Sequence, residues 1–360
     1  MDRLELARWL SGPKGQRKTA CIGLDGFIDR VVRVVDKRID SSNVTYIRSL
    51  ADYGQRLSAA AGLSLNIELV PEMQKLGGNG PIMANAFAAL GSPVDCVGTF
   101  GYPDFAPEFE PLRRRAKLHS IGQSACTDAY EFDDGKIIAS SLQPLNSLDW
   151  ETVLSRMGIE KLRELFDSAD MIALNNWTMI PHMSDIWEKL LAEVFPLLSD
   201  KRRLIFIDLA DPSKRTAEDL SRALGLLGEF SCFGQVLLSC NKREALQLAA
   251  AAGISAQEDA LEELCMQLQQ KLGVHRVVIH TLRGSIGCED GVLVTAPGFY
   301  VSEPRISVGG GDHFNAGLAH GLLYGLSLGD AMYLASAESG YYVRNADSPS
   351  EAELSAFLMD

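Results

Sequence analysis

The sequence predicts an α/β fold, and two observations support this prediction. From residue 150 onward, helical patterns expected over 151–167 and 183–195 are each followed by a short apolar run. This alternation is typical of the βαβ units that build a mostly parallel sheet. In addition, glycine-rich turns at 77–80 and 309–311 each lead into a helical pattern, as expected where a strand connects to a helix that binds a ligand.

The first half of the chain begins with a short amphipathic helix within 1–18. An Asp-Gly pair between two strand-like runs predicts a hairpin over 126–141. The remaining elements are defined by hydrophobic spacing and by their flanking glycines and prolines. They are strands over 20–24, 27–35, 65–70 and 94–98, and helices over 45–61 and 81–90.

The second half contains four apolar runs of strand length, at 171–174, 204–208, 236–240 and 277–280. A last helix is expected over 331–345, after a capping box formed by Ser327 and Asp330. No stretch resembles a linker between independent domains. We therefore expect residues 1–360 to form a single domain.

Composition narrows the function classes. The net charge of −13 argues against nucleic acid as a partner, because such proteins favour basic surfaces. No apolar run is long enough for a signal peptide core or a membrane span, so no membrane partner is expected. Seven cysteines are scattered without a metal-binding spacing, which is typical of reduced thiols. These features predict a cytoplasmic protein.

The stretch 307–317 contains three consecutive glycines, Gly309, Gly310 and Gly311, followed by Asp312. Glycines that lead into a helix predict an anion site, because free N–H groups and the positive end of the helix dipole point the same way. Asp312 at this position suits a base that accepts a proton from a hydroxyl attacking a bound phosphate. For the neighbouring His313, a packing or capping role is preferred over contact with a phosphate.

These residues, together with Phe314, Ala316 and Gly317, resemble the Gly-Ala-Gly-Asp signature of ribokinase-like (PfkB-type) carbohydrate kinases. A second block, 77–91, resembles the family's glycine turn and the helix after it. The resemblance implies a three-layer ribokinase-like fold with a mostly parallel sheet flanked by helices. It also implies a small β-sheet lid contributed by about 27–76 and 118–143. In this family the glycines form an anion hole and the aspartate is the catalytic base.

The resemblance extends to the nucleotide half and implies ATP and Mg²⁺ as cofactors. Asn241 and Glu244 match the family's Asn-x-x-Glu motif, which implies that Glu244 holds Mg²⁺ through water; a capping pair is the structural alternative. The other expected nucleotide contacts are Thr281, Gly284, Gly287 and Asn315. Many family members place Asp-Thr-Thr before the glycine motif to bind a monovalent cation. Here Ile306, Ser307 and Val308 stand there, so we expect weak or no activation by K⁺.

On the sugar side, the resemblance implies substrate contacts from the end of the first strand and from the glycine turn. Asp29 and Asp25 are rival candidates for holding the sugar hydroxyls, with Asp29 preferred. Gly77, Gly78 and Asn79 are expected on the facing turn.

The predicted function is an ATP-dependent sugar kinase that acts on a small carbohydrate. Alternatives are a nucleoside kinase, a phosphosugar kinase suggested by the basic residues Arg30, Arg33, Lys37 and Arg38, or an inert sugar-binding or regulatory protein. A homodimer formed through the lid is a further expectation. The sequence does not name the sugar, because residues 25–85 depart most from the family pattern.

Overall fold

The computed structural model describes residues 1–255, 257 and 259–360. Its strands, in chain order, are β1 (Ala20–Gly23), β2 (Phe27–Arg38), β3 (Val44–Tyr46), β4 (Leu69–Gly77), β5 (Val94–Gly98), β6 (Lys117–Ser120), β7 (Ala125–Phe132), β8 (Gly135–Ser141), β9 (Met171–Asn175), β10 (Leu204–Asp208), β11 (Gln235–Asn241), β12 (Arg276–His280), β13 (Gly284–Glu289) and β14 (Val292–Pro297). Its α-helices are α1 (Arg3–Ser11), α2 (Leu50–Ala59), α3 (Asn79–Ala89), α4 (Glu110–Arg113), α5 (Trp150–Met157), α6 (Ile159–Ser168), α7 (Met183–Lys189), α8 (Ala217–Phe230), α9 (Lys242–Ala251), α10 (Leu261–Leu272), α11 (Gly310–Leu323), α12 (Leu328–Asn345) and α13 (Glu351–Met359).

A nine-stranded sheet forms the centre of the molecule, in the order β14-β13-β12-β11-β10-β9-β1-β5-β6. The seven strands from β12 to β6 are parallel, whereas β13 and β14 add an antiparallel edge. All five residues of β9 are buried. A continuous apolar strand of this kind is typical of a parallel sheet covered on both faces.

Both faces of this sheet are covered by helices. Side chains alternate between the faces along each strand, so Cys21 and Ile172 pack with the helices on one face, together with Trp187 and Phe230. On the other face, Ile22 packs with α1, α3 and α11–α13. The result is the three-layer architecture predicted from the sequence.

A separate five-stranded sheet, here called the small sheet, stands beside the main one. β2 is its central strand: it pairs with β7 in parallel and with β3 and β4 in antiparallel orientation, and β8 completes it. The predicted hairpin over 126–141 is present as β7 and β8. α2 covers the outer part of the small sheet, where Tyr53 packs with Val34 and Phe132.

Several predicted boundaries were wrong. The second lid segment was expected from 118, but β6 pairs with β5 in the main sheet, so the small sheet resumes only at Ala125. The strand expected over 65–70 begins at Leu69 and continues to Gly77. The helix expected over 45–61 is preceded by the short strand β3. Pairing partners distant in sequence decide these limits, and local patterns do not contain them.

Two predicted helices are interrupted. The helix expected over 151–167 is divided at Gly158, whose φ of 73° no α-helix accommodates. The helix expected over 183–195 is α-helical only to Lys189 and continues as a π-helical turn over 190–194. Among the described residues, no helix has the length and apolar content needed to cross a membrane.

Candidate active site

The carboxyl ends of the central strands form the crevice in which open α/β sheets bind ligands. β1 pairs with β5 on one side and with β9 on the other, and the later strands continue outward from β9. The strand order therefore reverses between β1 and β9, and ligands bind at such a switch point. Asp25 follows β1, Asn176 follows β9, and Asp208 ends β10 at this edge.

The glycine motif forms the start of α11, as expected. Gly309 precedes the helix with φ 93°, a left-handed conformation that glycine adopts without strain. Among the described residues, none accepts a hydrogen bond from the N–H groups of Gly309, Gly311 or Asp312. The N–H of Gly310 makes only a long bond, 3.3 Å, to the carbonyl of Ser307. These groups are therefore free to bind an anion at the positive end of the helix dipole.

Asp312 lies in the first turn of α11 and its side chain is 7% exposed. Burial raises the pKa of Asp312 well above its usual range, and the nearby carboxylates of Asp208, Asp25 and Asp29 raise it further. The side-chain amide of Asn79 acts in the opposite direction. Asp312 thus lies at the centre of an acidic cluster, and its ionised form is a strong proton acceptor.

Asp25 is fully buried and its carboxylate is already bonded within the protein. Its Oδ2 accepts hydrogen bonds from the N–H of Asn79 at 2.9 Å and from Nδ2 of Asn176 at 2.7 Å. Its Oδ1 accepts one from the N–H of Gly80 at 2.8 Å. Burial raises the pKa of Asp25 to about 6 in spite of these bonds. Asp25 therefore anchors the N-terminus of α3.

Asp29 is in a different situation. It lies on β2 beside Lys75 of β4, and among the described residues none makes a hydrogen bond or ion pair with its carboxylate. Burial raises the pKa of Asp29 to about 6, while Lys75 opposes the rise. A Cβ atom on Gly77 would lie 2.3 Å from the carboxylate carbon of Asp29, so this glycine is needed for their close approach.

Asn315, predicted to contact the nucleotide, is instead fully buried behind the crevice. Its Nδ2 donates to Oδ2 of Asp208 at 2.6 Å, and its Oδ1 accepts from the hydroxyl of Ser239 at 2.6 Å. A contact between Asn315 and the nucleotide stays a prediction. Asn315 holds Asp208, whose Oδ1 also accepts from the N–H of Ala210 at 2.7 Å.

Asn241 and Glu244 form a capping box at the start of α9. The N–H of Asn241 donates to Oε2 of Glu244 at 2.9 Å, and the N–H of Glu244 donates to Oδ1 of Asn241 at 3.0 Å. Burial, followed by the charge of Asp208, raises the pKa of Glu244 to about 8. The capping alternative is thus realised, yet these oxygen donors also fit Mg²⁺, which protein sites hold by one or two carboxylates, water and phosphate.

A cavity of about 630 Å³ opens beside the glycine motif. Gly310 and Gly311 form one end of it, next to Asn241 and Arg243, and α12 forms a wall through Ser339 and Gly340. The volume lies within the range of ligand pockets, roughly 300–1,000 Å³. The cations Lys242, Arg243 and Arg283 line the same cavity, which suits a polyanionic ligand.

Of the three turn residues predicted to contact the nucleotide, Thr281, Gly284 and Gly287, Thr281 lines this cavity. Gly284 closes the turn, since its carbonyl accepts from the N–H of Thr281 at 2.8 Å. Gly287 lies within β13, where a Cβ atom would contact the side chains of Met332 and Leu328. The strand begins at Gly284 and turns Gly287 towards α12, and nucleotide contacts from these two glycines stay predictions.

Comparison with known proteins decides the family. The prokaryotic ketohexokinase family matches residues 13–360. The chain belongs to this family. It is 29% identical over 340 residues to a ketohexokinase of Haloferax volcanii. The aligned region covers 93% of this chain and 89% of the relative. The predicted resemblance to ribokinase-like carbohydrate kinases is confirmed, and the chain is an ATP-dependent carbohydrate kinase. Sugar kinases of this family use ATP, generally with Mg²⁺.

Solved structures confirm the fold of this kinase. A ribokinase from Thermotoga maritima is 17% identical with a TM-score of 0.62, covering 96% of this chain and 100% of that one. A ribokinase from Arabidopsis thaliana, complexed with ribose and ATP, is 14% identical with a TM-score of 0.65, covering 96% and 99%. At such identities the likeness shows the shared fold alone.

Two groups in this kinase's crevice were not found from the sequence. Asn176 adopts φ 59° directly after β9 and is 2% exposed; asparagine is among the few residues that tolerate this conformation. The signal available in the sequence was the pair Asn175-Asn176 directly after the apolar run 171–174. Lys75, half-buried beside Asp29, gave none, because nothing local distinguishes it from any other lysine on a strand.

Proposed function

We propose that this kinase transfers the γ-phosphoryl group of ATP to a hydroxyl group of a ketohexose. The observation that carries the proposal is the position of Asp312, a buried carboxylate in the first turn of a glycine-led helix. The cavity of about 630 Å³ adjoins that turn, and the charge of Asp29 reaches Asp312 from the small sheet. The ketohexokinase of Haloferax volcanii supports a ketohexose as the acceptor.

In the proposed reaction, Asp312 accepts the proton of the attacking hydroxyl. Its raised pKa makes the carboxylate a stronger base than an exposed aspartate. The free N–H groups of the glycine motif bind the transferred phosphoryl group, where charge increases in the transition state. Closure of the small sheet over the crevice excludes water that would otherwise hydrolyse ATP.

Mg²⁺ would be held near Glu244 and Asn241. Asn241 lines the cavity and is hydrogen-bonded to Glu244, and the charge of Asp208 is close enough to affect Glu244. Their chemistry fits a hydrated Mg²⁺, which would offset the charge of the phosphates. The capping hydrogen bonds keep both side chains in place on the first turn of α9.

The sugar would lie between Asp29 and Asn79. Asp29 offers a carboxylate without a partner among the described residues, and carboxylate and amide groups recognise a polyol by paired hydrogen bonds. Asp25 would act indirectly, by holding the backbone of Asn79. Gly77 and Gly78 would allow the close approach, because a Cβ on either would meet the carboxylate of Asp29 or Asp25.

The charges of the small sheet favour a neutral acceptor over a phosphosugar. Arg30 pairs with Asp128 through two bonds of 2.6 and 2.8 Å. Arg33 lies 3.4 Å from Asp133, and Arg38 pairs with Glu68. The basic residues that suggested a phosphate subsite are thus largely neutralised. A nucleoside would require an aromatic slot, and the neighbouring Phe27 is only 4% exposed within the core.

The test measures ADP formation with D-fructose and other ketohexoses, and with an aldohexose, ribose, adenosine and fructose 6-phosphate. We expect saturable turnover with a ketohexose and far lower kcat/KM with the others. Asp312→Asn should lower kcat by roughly 10²–10⁴, the usual contribution of a general base, with ADP affinity little changed. Turnover restricted to adenosine or a phosphosugar would overturn the choice of acceptor, and an active Asp312→Asn variant would overturn the mechanism.

A further inference from the structure

Two aromatic side chains form hydrogen bonds with the backbone just before α11. The hydroxyl of Tyr342 donates a hydrogen bond of 2.9 Å to the carbonyl of Val308. Nδ1 of His313 lies 2.7 Å from the carbonyl of the next residue, Gly309. The rings of Tyr342 and His313 stack, with centroids 3.6 Å apart and planes inclined by 14°. Two consecutive carbonyls are thus held by one stacked pair.

The chemistry of the histidine fixes which atom donates in its hydrogen bond to Gly309. A carbonyl oxygen only accepts hydrogen bonds, so Nδ1 of His313 carries the proton and donates to Gly309. Nε2 then accepts from the hydroxyl of Ser348 at 2.8 Å, and Ser348 accepts from Nδ2 of Asn85 at 2.9 Å. Burial lowers the pKa of His313 to about 4. The ring is therefore neutral near pH 7 with its proton on the atom that faces Gly309.

Tyr342 is a permanent donor for a similar reason. Its side chain is 6% exposed. Burial, with the nearby charges of Asp312 and Asp29, raises the pKa of its hydroxyl. The hydroxyl lies 3.0 Å from the place where a Cβ of Gly309 would stand, so only glycine leaves room for this contact.

The hydrogen bonds from Tyr342 and His313 orient the N–H groups of the glycine motif. In a planar trans peptide the carbonyl and the N–H point in opposite directions. Holding the carbonyl of Val308 towards Tyr342 turns the N–H of Gly309 away from it, and holding the carbonyl of Gly309 does the same for Gly310. Gly310 and Gly311 line the cavity, whereas the stacked pair does not.

We infer that Tyr342 and His313 are positioning residues that hold the N–H groups of Gly309 and Gly310 ready for the transferred phosphoryl group. The inference rests on the proposed function, in which these N–H groups form the anion hole. Preorganised donors need no reorientation as charge develops. Packing alone would not require this arrangement, because a phenylalanine at 342 would fill the same space without binding a carbonyl.

The test compares Tyr342→Phe, which keeps the ring and removes only the hydroxyl, with Tyr341→Phe. Tyr341 is the adjacent residue of α12, and its hydroxyl has no hydrogen-bond partner among the described residues. Loss of ordering at one anion-hole donor should lower kcat by about 10-fold or more, while the KM values for ATP and fructose change little. Tyr341→Phe should resemble the wild type.

A second readout does not depend on turnover. Aluminium fluoride with MgADP and fructose mimics the transferred phosphoryl group, so in the wild type it should tighten ADP binding. Tyr342→Phe should lose most of this tightening yet bind ADP alone normally. An unchanged kcat and unchanged tightening would overturn the positioning role while leaving the proposed function intact. Equal losses in ADP binding, fructose binding and melting temperature would also overturn it, in favour of simple packing.

Failure of the proposed function would look different. A wild-type protein that neither phosphorylates a ketohexose nor responds to aluminium fluoride would overturn both proposals. His313→Phe provides an independent variant, since it keeps a stacked ring and the backbone bond of 3.1 Å from the N–H of residue 313 to the carbonyl of Gly309 but removes the side-chain bond to that carbonyl. It should show the same selective loss in kcat and in the aluminium fluoride effect.

Discussion

Replacing Asp25 and Asp29 separately should show that Asp25 contributes to stability and Asp29 to substrate binding. The two carboxylates lie four positions apart, and burial raises the pKa of each to about 6. Their contacts differ completely. Asp25 accepts three hydrogen bonds at 2.7–2.9 Å from buried donors, whereas Asp29 has no partner among the described residues.

The contacts of the two carboxylates give the expected change in unfolding free energy for each variant. Asp25→Ala leaves three buried donors without an acceptor, each costing about 1–3 kcal/mol. Relief of the buried charge offsets part of this, so we expect a net loss of about 3–5 kcal/mol, a large share of a typical stability. Asp29→Asn removes no internal bond. Because its pKa is about 6 instead of 3.8, removing the charge could stabilise the fold at pH 7 by up to about 3 kcal/mol.

Substrate binding should show the reverse order. If the charged carboxylate of Asp29 accepts sugar hydroxyls, Asp29→Asn loses a hydrogen bond worth about 1.5–3 kcal/mol and the KM for fructose rises about 10-fold or more. The KM for ATP should stay nearly constant. In the wild type, the KM for fructose should fall as the pH rises through about 6, because the ionised form binds, and this dependence should be absent in the variant.

The assays are urea unfolding at pH 7 and steady-state kinetics. Asp128→Asn, on the neighbouring strand β7, is the control for removing an acid elsewhere on the small sheet. A stable Asp25→Ala variant with a raised fructose KM would contradict the division of roles. So would an Asp29→Asn variant that binds fructose normally.

Three other substitutions or conditions give independent tests. Glu244→Gln should raise the Mg²⁺ concentration for half-maximal activity without loss of stability, because glutamine also completes the capping box with Asn241; unchanged Mg²⁺ dependence would leave Glu244 as a cap only. Replacing a bulky organic cation with K⁺ should barely change the rate, since the residues before the glycines lack a carboxylate and the carbonyl of Val308 already binds Tyr342; strong activation would contradict this. Glu338 is fully buried and burial raises its pKa, so its neutral form is stable in the fold while the unfolded chain ionises. The stability gained by Glu338→Gln over the wild type should therefore grow above pH 4.5 by about 1.4 kcal/mol per pH unit until Glu338 ionises in the fold, measured by urea unfolding, and a constant difference would refute a buried neutral acid.

Local patterns were sufficient for most of the elements. Glycine, asparagine and proline at element ends, together with hydrophobic spacing, predicted β10 at its observed limits and the glycine-led start of α11. The spacing of Asn241 and Glu244 also offered, as an alternative to a magnesium site, the capping box that is observed. These features depend on residues within one turn or one strand, so the chain expresses them without its distant partners.

The sequence was misleading at positions whose environment is set by residues distant along the chain. Asn315 was expected at the nucleotide, and its side chain instead donates to Asp208, which lies 107 residues away. Gly287 was placed in a turn because the register of β13 against β12 is not visible in the glycine spacing. β6 was assigned to the lid, although it pairs with β5 at the edge of the main sheet. Which of the two sheets a strand joins depends on which sheet has an unpaired edge beside it.

The sequence by itself determined the α/β class, the family resemblance and the glycine turn before Asp312, because glycine conformation and hydrophobic periodicity act locally. Only the tertiary structure decided which of Asp25 and Asp29 remains free, and which carbonyls Tyr342 and His313 hold. The physical reason is that a buried polar group must find its partners wherever the fold brings them. Asp25 meets Asn176 151 residues away, and Tyr342 meets Val308 34 residues away, distances along the chain at which no spacing rule applies.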